Sequence, residues 1–197
     1  MTDTIVGLLR HGQTDWNIDF RLQGIADIPL NATGISQAEI AGLAINGKDW
    51  DVLLTSPLSR AMATAEIVAK SAGFDLISTE PLLLERSFGE AEGLLYDEWK
   101  TKYEDTNAVP GAETLEQLEE RSRMLLDKLV EDFAGQRVLT VSHGALIRKL
   151  LRIASHKTLP REGERLGNAS MSILKHENGV WSVAEYAPAT LELGNHS

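Results

Sequence analysis

The chain has 197 residues, and 19 Lys plus Arg face 29 Asp plus Glu, a formal charge of −10 at pH 7. That length suits one domain spanning 1–197, which can take roughly 70% of its unfolded surface out of water without help from disulfides or metal. The acidic balance disfavours nucleic acid and anionic membranes as partners, and the lack of Cys excludes disulfides, thiol catalysis and Cys-ligated zinc.

The first apolar run, Ile5 to Leu9, stops at Arg10-His11-Gly12 and reads as a buried strand ending in a loop. Helical spacing follows at Ile35, Ala38, Ala41 and Ile45, and then a second strand at Val52 to Leu54. Ser56-Pro57 reads as an N-cap followed by Pro at the first helical position. Leu58, Ala61, Ala65, Val68 and Ala72 continue that helix to Gly73. Phe74 to Ser78 reads as a third strand. Gly89, Gly93, Pro110 and Gly111 mark an irregular region around a short helix near Tyr96 to Tyr103. The longest helix is expected from Thr114 to Phe133, with Met124, Leu125 and Leu126 in its core. Val138 to Val141 is a strand closed by Ser142-His143-Gly144, and a helix carries Leu146, Ile147, Leu150 and Leu151. Asn178-Gly179 then joins two strands as a hairpin turn. Strands alternating with helices predict a three-layer α/β/α sandwich with a mostly parallel sheet. The tail from about Thr190 carries little apolar surface and is expected to be mobile. No run approaches the roughly 20 apolar residues that span a bilayer, and Met1 to Thr4 begin no leader, so a cytoplasmic protein is expected.

Three expected strand ends carry reactive or cationic groups: Arg10-His11, Thr55-Ser56 leading to Arg60, and Ser142-His143. Ligands of open α/β sheets bind beyond the carboxyl ends of the strands, where these segments would converge. A lone His or Arg at such a place is more often packed or solvated; the joint occurrence, with Gly after both histidines, is the signal. His156, His176 and His196 lack that pattern and read as surface residues.

The run from Leu9 to Asn17, LRHGQTDWN, resembles the signature of the histidine phosphatase superfamily, also called the phosphoglycerate mutase-like family. The likeness continues through Arg21 to Gly24, Pro29 to Asn31, Ser56 to Ala61, Leu84 to Gly89, Pro110 to Thr114, Val141 to Gly144 and Asn168 to Ser170. The blocks follow the family's order and cover most of the chain. The family often has an aromatic residue where this chain has Ala91.

The resemblance implies a phosphoglycerate mutase-like fold, a small phosphorylated metabolite as partner, and no cofactor or metal. It implies that His11 attacks phosphorus, that His143 donates to the phosphoryl oxygens, and that Glu85 moves the proton. Arg10 and Arg60 offer planar forks suited to phosphate oxygens, and Asn17 a neutral donor; Gln23 and Gly24 belong to the same implied phosphate pocket. His11 must present a neutral nitrogen lone pair, so its other nitrogen is expected to donate to a backbone carbonyl. Alone, Glu85 would read as a partner of Arg86 or a turn cap, and Glu90 and Glu92 compete for its role. Trp99, Lys100, Lys102 and Tyr103 line the way to the substrate or belong to a partly exposed helix. Only residues 94–109 separate the acid/base block from the Pro-Gly block, a short cover that admits water and favours hydrolysis over transfer. A mutase, a non-catalytic phospho-ligand or protein-binding module, and a metal site built from His11, His143 and Glu85 are the alternatives. A homodimer stays open.

Overall fold

The computed structural model describes residues 3–103, 105 and 107–188; the tail beyond Thr190 lies outside them. In chain order the elements are β1 (Thr4–Arg10), α1 (Asp15–Ile18), α2 (Ala32–Ala44), β2 (Val52–Thr55), α3 (Ser59–Ala72) and β3 (Ser78–Thr79). There follow α4 (Tyr96–Lys102), α5 (Leu115–Asp132), β4 (Arg137–Ser142), α6 (Gly144–Ala154), β5 (Met171–Glu177) and β6 (Val180–Glu185). The six strands lie in the order β3-β2-β4-β1-β5-β6. β3, β2, β4 and β1 run parallel, and β5 and β6 add antiparallel at one edge. This is the mixed, mostly parallel α/β architecture that the alternation of elements predicts.

Period-two alternation decides which side each strand residue serves. Val6, Leu8, Leu54, Val138 and Leu174 point to one face, where α5 and α6 supply Leu118, Leu125, Leu129, Leu146 and Leu150. Leu9, Leu53, Leu139 and Val141 point to the other, against Ala61, Ala65 and Val68 of α3. The strands are apolar on both faces because both faces are covered, as parallel sheets require.

α5 starts on Thr114, whose hydroxyl accepts the Gln117 N–H while the Gln117 side chain accepts the Thr114 N–H, a reciprocal cap. Asn178 and Gly179, at φ 53° and 81°, form the hairpin turn. Three expectations need correction. The third helix begins at Ser59, because Leu58 is still extended at φ −68° and ψ 139° and serves as N-cap, while the Ser56 hydroxyl meets His143 and the Leu58 N–H. The third strand shrinks to Ser78–Thr79, since only Leu54 and Thr55 extend far enough to pair with it. Met124 is 55% exposed and leaves the α5 core to Leu125 and Leu126.

Candidate active site

β1 and β4 are hydrogen-bonded neighbours with Arg10 opposite Ser142, so the residues just past them come together. The His11 N–H donates to the Ser142 carbonyl at 2.9 Å, and the His11 and His143 rings lie 5.1 Å apart. His11 Nδ1 is 2.7 Å from the Gly12 carbonyl oxygen. A carbonyl only accepts, so Nδ1 carries the proton and Nε2 keeps its lone pair. Burial, then the nearby Arg10 and Arg60 charges, holds the His11 pKa well below 6.5. The imidazole is therefore neutral at physiological pH.

His143 is fully buried, and its Nε2 lies 2.7 Å from the Ser56 hydroxyl. That hydroxyl also accepts the Leu58 N–H at 3.4 Å and has its own proton available for Nε2. The other ring nitrogen, Nδ1, is buried without a protein partner. Burial, followed by His11, Arg60 and Arg10, pushes the His143 pKa well below its usual value.

The two guanidinium groups are held by carbonyls. Arg60, in the first turn of α3, is fully buried and donates to Gly24 O at 2.7 Å and Ala26 O at 2.8 Å. Arg10 donates to Leu166 O at 2.5 Å. Each keeps a buried Nε without a protein partner, as does Gln23 Oε1. Gly24 thus serves through its carbonyl, in a left-handed turn at φ 56° where a Cβ would lie 2.1 Å from Glu92 Oε1. Asn17 Oδ1 accepts from Thr14 N, Thr14 Oγ1 and Asn168 Nδ2 at 3.1 to 3.2 Å, which fixes its amide and leaves Nδ2 as the free donor.

Glu85 is buried at the N-terminus of α6. Its Oε1 accepts the N–H groups of Arg86, Ala145 and Leu146, while Oε2 takes only that of Ala145. The segment carrying Glu85 is braced by Arg121, which donates to Leu82 O and Leu84 O at 2.8 Å and forks onto the Glu113 carboxylate at 2.7 Å. Of the two competing acids, Glu92 is occupied by the N–H groups of Ile25, Ala26 and Phe88, and Glu90 is exposed.

Sequence reasoning missed several supports. Thr64 accepts the Gly12 N–H and donates to Arg60 O, tying the His11 loop to α3. Asn168 donates to His11 O at 3.1 Å. Arg121 went unread, and Ser56 was read as a helix cap, the commoner use of Ser before Pro. A close approach of Gly12 to Gly34, whose carbonyl oxygen would lie 2.3 Å from an added Cβ, explains the paired glycines.

Beyond Arg10 opens a cleft of about 1000 Å³ walled by α1, α4, α6 and the 165–168 segment. From α4 it receives Tyr96, Asp97 and Glu98. Trp99 instead packs inward on Ala91 and Val109, filling the space beside that small residue, and Lys100 lies over the Tyr96 ring. His156 is exposed and His176 packs against Trp181 with the rings tilted by 50°, while His196 lies outside the described residues. Among the described residues no group of three His, Cys, Asp or Glu could hold a metal ion. No helix among them is long and apolar enough to cross a membrane.

A neutral imidazole with a free lone pair, under the charges of two guanidinium groups at the carboxyl edge of a parallel sheet, makes a pocket suited to an oxyanion. The histidine phosphatase superfamily (branch 1) model matches residues 6–188. The uncharacterized phosphatase PhoE of Bacillus subtilis is 39% identical over 183 residues, 93% of this chain and 94% of that protein. The probable phosphoglycerate mutase GpmB of Serratia proteamaculans is 33% identical over 189 residues, 89% of this chain and 86% of that one. The mycobacterial glucosyl-3-phosphoglycerate phosphatase superposes with TM-score 0.81 at 26% identity, covering 93% of this chain and 98% of that one. The chain belongs to the histidine phosphatase superfamily, as the resemblance implied.

Proposed function

We propose that the protein is a metal-independent phosphomonoesterase of the cytoplasm, acting on a small phosphorylated metabolite through a phosphohistidine on His11. The observation that carries this reading is the Nδ1–H bond to Gly12 O, which leaves Nε2 as a neutral nucleophile beside Arg10 and Arg60. Nε2 attacks phosphorus and the ester P–O bond breaks, while Glu85, as the carboxylic acid, gives its proton to the leaving oxygen. In the second step Glu85 takes a proton from water, the water oxygen attacks phosphorus, and the P–Nε2 bond breaks to release inorganic phosphate. Arg10, Arg60, Asn17 Nδ2 and the His143 Nδ1–H receive the equatorial oxygens, where charge accumulates. With both imidazoles neutral, two cations and Glu85 leave a net positive pocket in an acidic protein, which suits a dianionic phosphate. Short-range contacts dominate here because distant charges are screened beyond about 8–10 Å.

The mutase reading shares the first step and differs in the acceptor, a bound hydroxyl in place of water. The broad cleft and the short 94–109 segment favour water. A phosphate-release screen over sugar phosphates, phosphoglycerates, nucleotides and phosphopeptides tests the proposal. Release from at least one ester in the presence of chelator, lost in His11→Ala, is expected. Exchange between 2- and 3-phosphoglycerate outpacing release would overturn it in favour of the mutase. Tight binding without any release would favour a non-catalytic module.

A further inference from the structure

A second cleft lies between α5 and the last turns of α6, and its charge is opposite to that of the chain. Its walls carry Arg123 from α5, Lys149 and Arg152 from α6, and His156 and Lys157 from the turn that follows. Glu119 is the one acid among its described lining residues. That carboxylate is shared, 2.9 Å from Arg123 Nη2 and 3.4 Å from Lys149 Nζ, and the two cations hold its pKa below the usual value. Arg152 and Lys157 have no carboxylate within ion-pair distance among the described residues.

Helix ends and solvation do not produce this grouping by themselves. The dipole of α6 accounts for Arg152, in its last turn. It does not account for Lys149, in the middle of the helix with its side chain 15% exposed, or for Arg123 on the other helix. In a protein of net charge −10, solvated cations gain most by spreading among the surplus carboxylates, yet four converge here on one. The backbone is also strained at the rim. His156 and Lys157 take the left-handed region, at φ 52° and 70°, where glycine is the usual residue after a helix. The turn closes with the His156 N–H on Ile153 O at 3.3 Å and the Lys157 N–H on Arg152 O at 2.7 Å. What these residues bring in place of glycine is two side chains on the cleft.

The cleft holds about 240 Å³, below the roughly 300 Å³ at which pockets for drug-sized ligands begin, so it suits a compact ion. A guanidinium fork and two ammonium groups match oxygens spread over more than one tetrahedral centre. From Gly144 to Arg152 is eight residues of α6, a rise of about 12 Å, which separates the cleft from the phosphoryl pocket. We propose that it is a non-catalytic binding site for a compact polyanion of the diphosphate class. Lys149, Arg152 and Lys157 receive the linked phosphoryl groups, and Arg123 retains Glu119. This site involves neither His11 nor turnover, so it stands apart from the phosphomonoesterase reading.

Methylenediphosphonate, whose P–C–P bridge resists hydrolysis, is the probe. Methylphosphonate is its single-headed counterpart, and a tetraglutamate peptide the competing kind of polyanion. Binding to the full chain is read from amide and His156 imidazole NMR shifts. The diphosphonate is expected to move the signals of residues 149–157, with a Kd about tenfold below that of methylphosphonate. Arg152→Gln and Lys157→Gln, both at exposed positions, should each raise that Kd about tenfold and leave Tm unchanged. Shifts confined to the amides around His11 and Gly144, or a Kd unmoved in both variants, would overturn the inference. So would equal Kd values for the two phosphonates. Tighter binding of the peptide would also overturn it, marking the cleft as a surface for an acidic protein segment.

Discussion

At the residue scale, the chemistry depends on which nitrogen of each imidazole carries a proton. Gly12 O fixes His11, and in the proposed mechanism the Ser56 hydroxyl donates to His143 Nε2 and leaves the ring proton on Nδ1. Removing a group that orients a metal-ligating histidine costs about 10- to 100-fold, and Ser56 stands to His143 as such a partner does to its ligand. Ser56→Ala should therefore lower kcat by about tenfold and move the His143 proton to a mixture of ring nitrogens, visible in the imidazole 15N shifts. An unchanged tautomer with unchanged kcat would remove Ser56 from the mechanism. Glu85→Gln should impair alkyl phosphates by about 10²- to 10⁴-fold and aryl phosphates distinctly less, because good leaving groups need less protonation. Equal losses on the two classes, measured as kcat/KM, would deny Glu85 the acid role. These two residues also show what a sequence reveals. Glu85 was readable only inside its block, and what separates it from Glu92 is its seat on the Ala145 and Leu146 N–H groups of α6, next to His143, which no local pattern announces. Ser56 was readable but misassigned, since its partner lies 87 positions away on another strand end.

At the scale of elements, the site is an outcome of strand adjacency. The β-branched and leucine runs of β1, β2 and β4 were legible because both faces of a parallel sheet are buried. The convergence of His11 and His143 followed from the rule that ligands meet beyond the carboxyl ends of such strands. The segments between elements were less legible. The 80–95 stretch holds its place through Arg121, a helix residue that spends its donors on Leu82 O, Leu84 O and Glu113. Nothing in the helical pattern of α5 separates Arg121 from a solvated arginine. Arg121→Met orphans two carbonyls and a largely buried carboxylate, and should cost about 2 to 3 kcal/mol in urea denaturation. It should also lower kcat by loosening Glu85, while a loss of stability below about 0.5 kcal/mol would show the brace to be dispensable. Gly12→Ala would force the His11 loop from Gly34, and the unfolding free energy read by urea denaturation should fall by about 1 to 3 kcal/mol.

At the scale of the whole molecule, the neutral histidines couple folding to pH. Each is depressed well below 6.5 in the folded protein and returns to about 6.5 when unfolded. Above that value both states hold the rings neutral and the pair costs nothing. As pH falls below it, the unfolded chain binds protons that the folded one refuses, so stability declines at up to about 2.7 kcal/mol per pH unit for two such groups. Thermal melts should show Tm falling from pH 6.5 towards 5, with a shallower decline in His143→Gln. A slope untouched by that substitution would place the proton uptake elsewhere. The net charge of −10 disfavours polyanion partners but says nothing of the local cationic residues, because composition averages over a surface that the fold partitions.

The most direct test is to quench the enzyme within milliseconds of mixing with a 32P-labelled ester it cleaves, and to map the label by base-stable peptide analysis and 31P NMR. The structure predicts phosphorus on Nε2 of His11, the nitrogen turned away from Gly12 O. Label on Nδ1, on another residue, or on no residue during steady turnover would contradict the account.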